Sequence, residues 1–451
     1  MTKPNAAEKD RQIMKKKKTK RIIIGILLGL FAVCTILFVI YKSALDPYRG
    51  TADSLESLPL DAQITPESAI KDMDYVMQML RERHPAWLEE DNQRVRDTEA
   101  CYEEEVRRIR ESGEYLITVL EEWKAISRIM HCLYDGHSGV YPTYSNMLYI
   151  DDFTQLRSGN RIVMIDGISY EELLKRFLDV YYYETESYAQ AVFDSNVTCC
   201  EAYLDWIDID TSDGVDITFD ERGTEETYHY GFVPIEEVKG YDEDTEEEQP
   251  WVYYEIDNEN GVGIFTLTSC VYNDEYKRTV KEFFDAVEDA GIRNVIVDLR
   301  WNGGGSSMVG DEFIHYLDVD GYYSWPAHVR FGNFLYKSDK SYIRNPRSGA
   351  GFDGNVYILT NRKTFSAAMD FTMLIMDNGL GTVVGEESGN LPDSYGDILM
   401  FNTPCSQLRF SVSYKRWFRL DETKSGQPLI PDYPCDSAEA MDKAYELILE
   451  K

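Results

Sequence analysis

The strongest pattern along the chain is an uninterrupted uncharged run, Ile22 to Tyr41, that directly follows the basic cluster Lys15–Lys18, Lys20 and Arg21. As a helix it would be about 30 Å long, the thickness of a bilayer's hydrocarbon core. A buried core helix is rarely apolar on every face. The run is long for a cleaved signal peptide, and its end lacks a small-x-small site. The pattern therefore predicts a single transmembrane anchor over 22–41. Positive charge ahead of it makes 1–21 a cytoplasmic tail and leaves the bulk of the chain outside a cell membrane.

Beyond a tether over 42–64, residues 65–140 read as a helical segment. Thr65 is an N-cap, Pro66 suits the first helical position, and Ile70, Met73, Met77 and Leu80 recur at helical spacing up to His84-Pro85. A mostly charged second helix follows near 102–110. A third carries Leu116, Leu120, Trp123, Ile126, Met130 and Leu133 on one stripe and ends at Asp135-Gly136. Residues 141–250 form an insert, with a strand at Ile162–Ile165, a turn at Asp166-Gly167 and a helix opened by Ser169-x-x-Glu172. The insert ends in the acidic run Asp242–Glu248, read as a solvated loop because it lacks the alternation and turn glycine of a calcium loop.

From 251 to 451 strands and helices alternate. Val262–Thr268, Val295–Leu299, Val356–Thr360 and Leu408–Tyr414 are strands, whereas Glu275–Ala290 and Ser366–Met376 are helical. This is the texture of an α/β layer structure with a mostly parallel sheet.

Composition narrows the function. The chain has 451 residues and a net charge of -34, which divides into +8 over residues 1–42 and -42 over the remainder. So acidic an ectodomain excludes general binding to nucleic-acid phosphates. Six histidines, eight cysteines and no CxxC or HxxxH spacing argue against a zinc enzyme, and no metal or organic cofactor is expected. Seven cysteines lie beyond the anchor at spacings that suggest no dense disulfide framework, so buried free thiols are the expectation.

Two strand ends concentrate the remaining chemistry. Asp298-Leu299-Arg300-Trp301-Asn302-Gly303-Gly304-Gly305-Ser306 frees the backbone to approach a ligand and present N–H groups. It lacks the P-loop lysine and the GxGxxG spacing, leaving an oxyanion hole or a tight structural turn. Thr364-Phe365-Ser366-Ala367-Ala368 puts a serine between a strand and a helix. That is the setting of a nucleophile, and also of an ordinary helix N-cap.

Together with Val383-Val384-Gly385-Glu386-x-Ser388-Gly389 and Ile430-Pro431-Asp432, these segments resemble the tail-specific (C-terminal-processing) serine peptidases over roughly 261–435. Ile165-Asp166-Gly167-Ile168 is similar to the end of that family's PDZ-like insert. The resemblance implies a crotonase/ClpP-like β-α superhelix with a reduced PDZ-like insert. It also implies Ser366 as nucleophile and the amides of Gly304 and Ala367 as oxyanion hole. The Gly-Lys-Gly setting of the family's lysine is Gly389-Asn390-Leu391-Pro392 here, and no lysine occurs between Ser366 and Lys415. The tricorn-core-like branch uses a histidine instead, and Asp135-Gly136-His137-Ser138 is similar to its Asp-Gly-His-Thr segment. Gly136 can end the preceding helix in a left-handed conformation and turn His137 outward as general base. A glutamate near the terminal Pro-Asp completes that branch's site, which points to Glu422, with Asp135 and Glu386 as alternatives. The implied function is a membrane-anchored, extracytoplasmic serine endopeptidase acting on protein or peptide substrates. A ligand- or peptide-binding receptor on the same scaffold is the alternative.

Overall fold

The computed structural model describes residues 6–52, 56–143, 147–241 and 250–450; the acidic run Asp242–Glu248 lies outside the described residues. Helix α1 (Ala6–Ile40) carries the uncharged run, and its apolar side chains from Ile22 to Ile40 are exposed. It is long and apolar enough to cross a membrane, by length and composition. A wide turn, Tyr41–Leu45, leads from it into the folded body.

Three helices follow. Helix α2 (Pro66–Arg83) starts where its signals place it: Thr65 accepts a hydrogen bond from the Ser68 amide, and Pro66 is the first helical residue. Helix α3 (Gln93–Glu111) begins well before the expected segment. Asn92 caps it, and it buries Val106 and Ile109, so this mostly charged helix is amphipathic. Helix α4 (Val119–His131) opens with a reciprocal capping box between Thr118 and Glu121. Met73, Val76, Met77, Leu80, Trp123, Ile126 and Met130 are buried in a shared core.

The insert is built on an antiparallel sheet. Arg161–Ile165 pairs with Val215–Glu221, which pairs in turn with Thr224–Tyr230. The Tyr170–Leu178 helix, opened by Ser169 accepting from the Glu172 amide, buries Leu173 and Phe177.

The 251–451 region holds a six-stranded sheet. Its order is Val252–Asp257, Val262–Leu267, Asn294–Asp298, Asn355–Thr360, Thr382–Gly385 and Tyr433–Pro434. Only the first pair is antiparallel. Its strands are near-continuous apolar runs because helices cover both faces. Asn294–Asp298 and Asn355–Thr360 are neighbours in parallel register, Asp298 opposite Leu359. Their carboxyl ends, and the loops that follow them, therefore emerge side by side. The fold is mixed α/β.

A second, antiparallel sheet joins the two halves. Its main strands are Phe334–Ser338, Ala327–Phe331, Arg409–Trp417 and Tyr395–Asn402. The short strand Val140–Tyr141 pairs with Phe410 and Arg409. This sheet carries the end of the helical segment across to the six-stranded core, and His137 comes with it.

Candidate active site

The two loops at the carboxyl ends of Asn294–Asp298 and Asn355–Thr360 are tied together by buried polar groups. Thr364 Oγ1 donates to the Leu299 carbonyl at 2.9 Å and accepts from the Asn361 amide. The Phe365 amide donates to the Asn302 carbonyl at 2.9 Å, and the Asn302 side chain donates to the Leu267 carbonyl at 2.7 Å. Arg300 is folded back onto Asp298 at 2.6 Å and reaches the Ser437 carbonyl. The motif residues that flank the glycines thus hold the loop in place.

Ser366 sits at the entry to the helix Ala367–Asp377 with φ 54° and ψ -126°. A side chain in that region is strained by about 1–3 kcal/mol, which the surrounding contacts must offset. Its hydroxyl caps nothing: the helix start has no side-chain cap hydrogen bond. The N-cap explanation for this serine therefore fails. Its own amide donates to Asn390 Oδ1 at 2.7 Å, and its carbonyl accepts from the Asp370 amide.

Gly304 and Ala367 flank the serine as expected. A Cβ on Gly304 would stand 2.6 Å from Ser366 Cβ and 2.9 Å from the Ala367 nitrogen, so only glycine fits there, at φ 100°. The two amides differ in state. Among the described hydrogen bonds Ala367 N–H donates to nothing, whereas Gly304 N–H donates to Asn302 Oδ1 at 2.9 Å. The adjoining Gly305 amide also has no described acceptor.

His137 reaches the same place from the helical segment. Tyr134, at φ 48°, makes the left-handed turn after α4 that was expected of Gly136. Gly136 is needed for space instead: a Cβ there would meet the Phe365 ring at 3.1 Å. Ser411 then fixes the loop, donating from Oγ to the His137 carbonyl at 2.7 Å and accepting from the Gly139 amide. The imidazole lies 4.7 Å, centroid to centroid, from the ring of Phe365, the residue preceding Ser366. Its Nε2 faces Gly396, where a Cβ would be 3.7 Å away.

The carboxylates beside the imidazole are Glu184 and Asp135. His137 Nδ1 is 3.7 Å from Glu184 Oε1 and 3.9 Å from Asp135 Oδ1. Glu184, whose side chain is 2% exposed, accepts from the Gly136 amide on Oε1 and from the Leu391 amide on Oε2. Asp135 is fully buried and accepts from Ser138 Oγ, the His137 amide and His84. Because His84 Nδ1 accepts from the Ala86 amide, its Nε2 carries the proton given to Asp135. Glu422, by contrast, is exposed in the short turn Glu422–Lys424, with no described contact to His137. Glu386 is engaged with Arg362, at 3.2 Å to its amide. The structure thus brings Ser366, Gly304, Ala367 and His137 together and leaves Glu422 outside.

Charge in this pocket is set by burial and by a small group of carboxylates. Burial works against protonation of His137, but Glu184, with Asp135 and Asp370, outweighs it and raises its pKa above the ordinary value. Burial raises Glu184, partly opposed by His137. Burial also opposes the charge on Asp135, yet the bond from His84 and the two nearby imidazoles hold it well below the usual carboxylate range. Asp370, one turn along the helix from Ser366, is pushed up to about 7 by burial. Asp135, His137 and Glu184 could each offer one atom to a cation, all within 4.8 Å of one another. Their carboxylate oxygens are already committed to amides, a hydroxyl and His84. His137 Nδ1 itself is buried without a described hydrogen-bond partner, its nearest carboxylate being Glu184 at 3.7 Å.

Glu184, Asp370 and Asn390 were not singled out from the sequence. Glu184 follows three tyrosines with no periodicity to mark it, and only the tertiary fold brings it to Gly136. Asn390 stood in view as the residue where the family's lysine is missing, but its bond to Ser366 is a loop property.

Residues 261–433 match the model of Peptidase family S41. That stretch contains Ser366, Gly304 and Ala367 but neither His137 nor Glu184. Among solved structures, mature CPAF complexed with lactacystin aligns with TM-score 0.62 at 12% identity, covering 85% of this chain and 97% of that one. A crystal structure of mature CPAF gives TM-score 0.60 at 12% identity, covering 86% and 96%. The photosystem II D1 C-terminal processing protease aligns with TM-score 0.45 at 12% identity, covering 84% and 97%. The match of residues 261–433 to Peptidase family S41 indicates a serine peptidase.

Proposed function

We propose that this serine peptidase is a membrane-anchored endopeptidase that cleaves peptide bonds through an acyl-enzyme on Ser366, with His137 as general base and Glu184 as the group that orients it. The observation that carries the reading is the strained, uncapped Ser366, held beside an imidazole with a buried carboxylate behind it. Glu184 takes the place in this scheme that the family resemblance gives to Glu422.

In this scheme Ser366 Oγ, which enters no described hydrogen bond, meets His137 Nε2 in the substrate complex. The hydroxyl proton passes to Nε2 as Oγ attacks the scissile carbonyl. Glu184 favours the imidazolium so formed. The negative oxygen of the tetrahedral intermediate is received by the Ala367 amide at the helix start and by a second amide from the glycine loop. Gly304 serves there if it shares its proton between Asn302 and the oxyanion; Gly305 is the unengaged neighbour. His137 then gives its proton to the leaving amine, and water, activated the same way, releases the acyl group. Every proton in this cycle is handled by one imidazole.

The anchor would be α1, with the basic residues ahead of it on the cytoplasmic side and the catalytic body outside. The crotonase/ClpP-like superhelix and the PDZ-like character of the insert belong to the same reading, as does the division of the chain at 140 and 250.

Labelling with a fluorophosphonate tests the reading directly. Wild-type protein in detergent should label at Ser366, and both Ser366→Ala and His137→Ala should lose the label while keeping their circular dichroism. A folded wild-type protein that takes up no probe overturns the catalytic site and favours the binding receptor on the same scaffold.

A further inference from the structure

The registers of α3 and α4 bring two cysteines face to face. The helices run antiparallel, and Arg128 of α4 forms a two-pronged ion pair with Glu105 of α3, at 2.6 and 3.0 Å. One turn earlier on α3 is Cys101, and one turn later on α4 is Cys132, so the helical repeat makes them the next rung. Farther along, Arg94 of α3 donates to the Tyr134 carbonyl just past α4 at 3.1 Å, closing the same end of the pair.

We propose that Cys101 and Cys132 are a disulfide-forming pair that cross-links α3 to α4 immediately ahead of the loop carrying Asp135 and His137. Both residues are half-buried, so a small oxidant can reach the edge of the pair without unfolding the bundle. The other extramembrane cysteines offer no such rung. Cys199 and Cys200 are adjacent and buried, and Cys270 is buried against Asn302.

The chemistry is a dithiol exchange with a disulfide donor such as oxidised glutathione. The Cys132 thiolate attacks one sulfur of the donor and releases a reduced glutathione. The Cys101 thiolate then attacks the mixed disulfide at Cys132 and releases the second. Two protons leave the protein, and two electrons pass to the donor. Cys132 is the C-cap of α4, and the buried Asp135 follows three residues later. A bridge there fixes the helix end from which His137 is presented.

The test uses full-length protein in detergent, equilibrated over a series of reduced-to-oxidised glutathione ratios, trapped by alkylation and mapped by mass spectrometry. Cys101 and Cys132 should lose alkylation together, at one common ratio, and be recovered as a single linked peptide; the other six thiols should stay alkylated. Cys101→Ser should leave Cys132 as a mixed disulfide with glutathione, and Cys132→Ser provides the same check from the other side should the first variant misfold. The proposal is overturned if both residues stay alkylated in excess oxidised glutathione, or if either is recovered linked to a different cysteine.

Discussion

Glu184 Oε1 stands 3.7 Å from Nδ1 of His137 while the same carboxylate receives the amides of Gly136 and Leu391. One side chain therefore braces the loop that presents the imidazole and the loop that carries Asn390, the acceptor of the Ser366 amide. The two halves of the proposed catalytic pair, His137 and Ser366, lie far apart in the sequence, and Glu184 falls between them. Replacing it should affect the chemistry more than the fold.

The pH dependence follows from that arrangement. The base form of His137 is needed for attack, and its pKa is raised above the ordinary value once Glu184 and the other carboxylates outweigh burial. The ascending limb of kcat/KM should therefore lie above the pH of an unperturbed histidine. In Glu184→Gln the limb should move to lower pH, because the charge favouring the imidazolium is gone. The plateau should fall as well, by about 10- to 1000-fold, as orientation is lost. A pH–rate profile measures both; a limb that does not move would sink the pairing of Glu184 with His137.

Ser366→Ala should lower hydrolysis by about 1000-fold or more and leave the melting temperature within a few degrees of wild type. The alanine keeps the Cβ and hence the strained backbone at φ 54°. Ser366→Gly should be equally inactive but measurably more stable, by about 1 kcal/mol, because glycine adopts that conformation freely. Thermal unfolding of the three proteins separates loss of the nucleophile from loss of strain. Equal stabilities for the alanine and glycine variants would contradict stored strain at this residue.

Asn390 supplies the only described partner of the Ser366 amide, at 2.7 Å, and is itself fully buried. Asn390→Ala should orphan that donor, costing about 1–3 kcal/mol of stability and loosening the turn that aims Oγ. We expect kcat to fall about 10- to 100-fold with KM little changed, and Asn390→Asp to recover part of it because an acceptor is restored. Failure of the aspartate to recover any rate would show that the bond to Ser366 is incidental.

Much of the core was legible because its signals are local. The central strands Val262–Leu267, Asn294–Asp298 and Asn355–Thr360 are apolar runs, and Thr65-Pro66 and the apolar stripe of α4 mark helices whatever surrounds them. The second sheet was largely missed: Ala327–Phe331 and Phe334–Ser338 mix polar and apolar residues and are partly exposed, and Tyr395–Asn402 follows no strict alternation, so these strands gain their identity from pairing. At the site, Ser366 and the glycines were legible as a strand-to-helix turn and its facing loop. The group behind His137 was not. The family resemblance pointed to Glu422, near the end of the chain, whereas the carboxylate nearest Nδ1 comes from within the insert, through contacts that no sequence period encodes. The left-handed residue after α4 shows the same limit, falling on Tyr134 when a glycine stood two positions away.

A buried carboxyl pair beneath α2 and α4 gives a test of the fold independent of catalysis. Asp72 accepts from the amides of Cys405 and Ser406 and from Ser406 Oγ, anchoring the second sheet to α2. Glu122 lies fully buried beside it, and neither of its oxygens meets a donor. Burial, and then the charge of Asp72, push its pKa up to about 9. The folded protein therefore holds this proton over a range in which the unfolded chain, at the ordinary glutamate value, has released it. The stability it contributes is complete below the unfolded pKa, about 4.3, and is lost progressively as pH rises toward 9. Glu122→Gln is neutral at every pH. It should leave stability nearly unchanged near pH 4 and raise it progressively, by several kcal/mol, toward pH 8. Denaturant unfolding of both proteins across that range reads the difference, and a gain that is flat with pH would mean that Glu122 is not held protonated in the folded state.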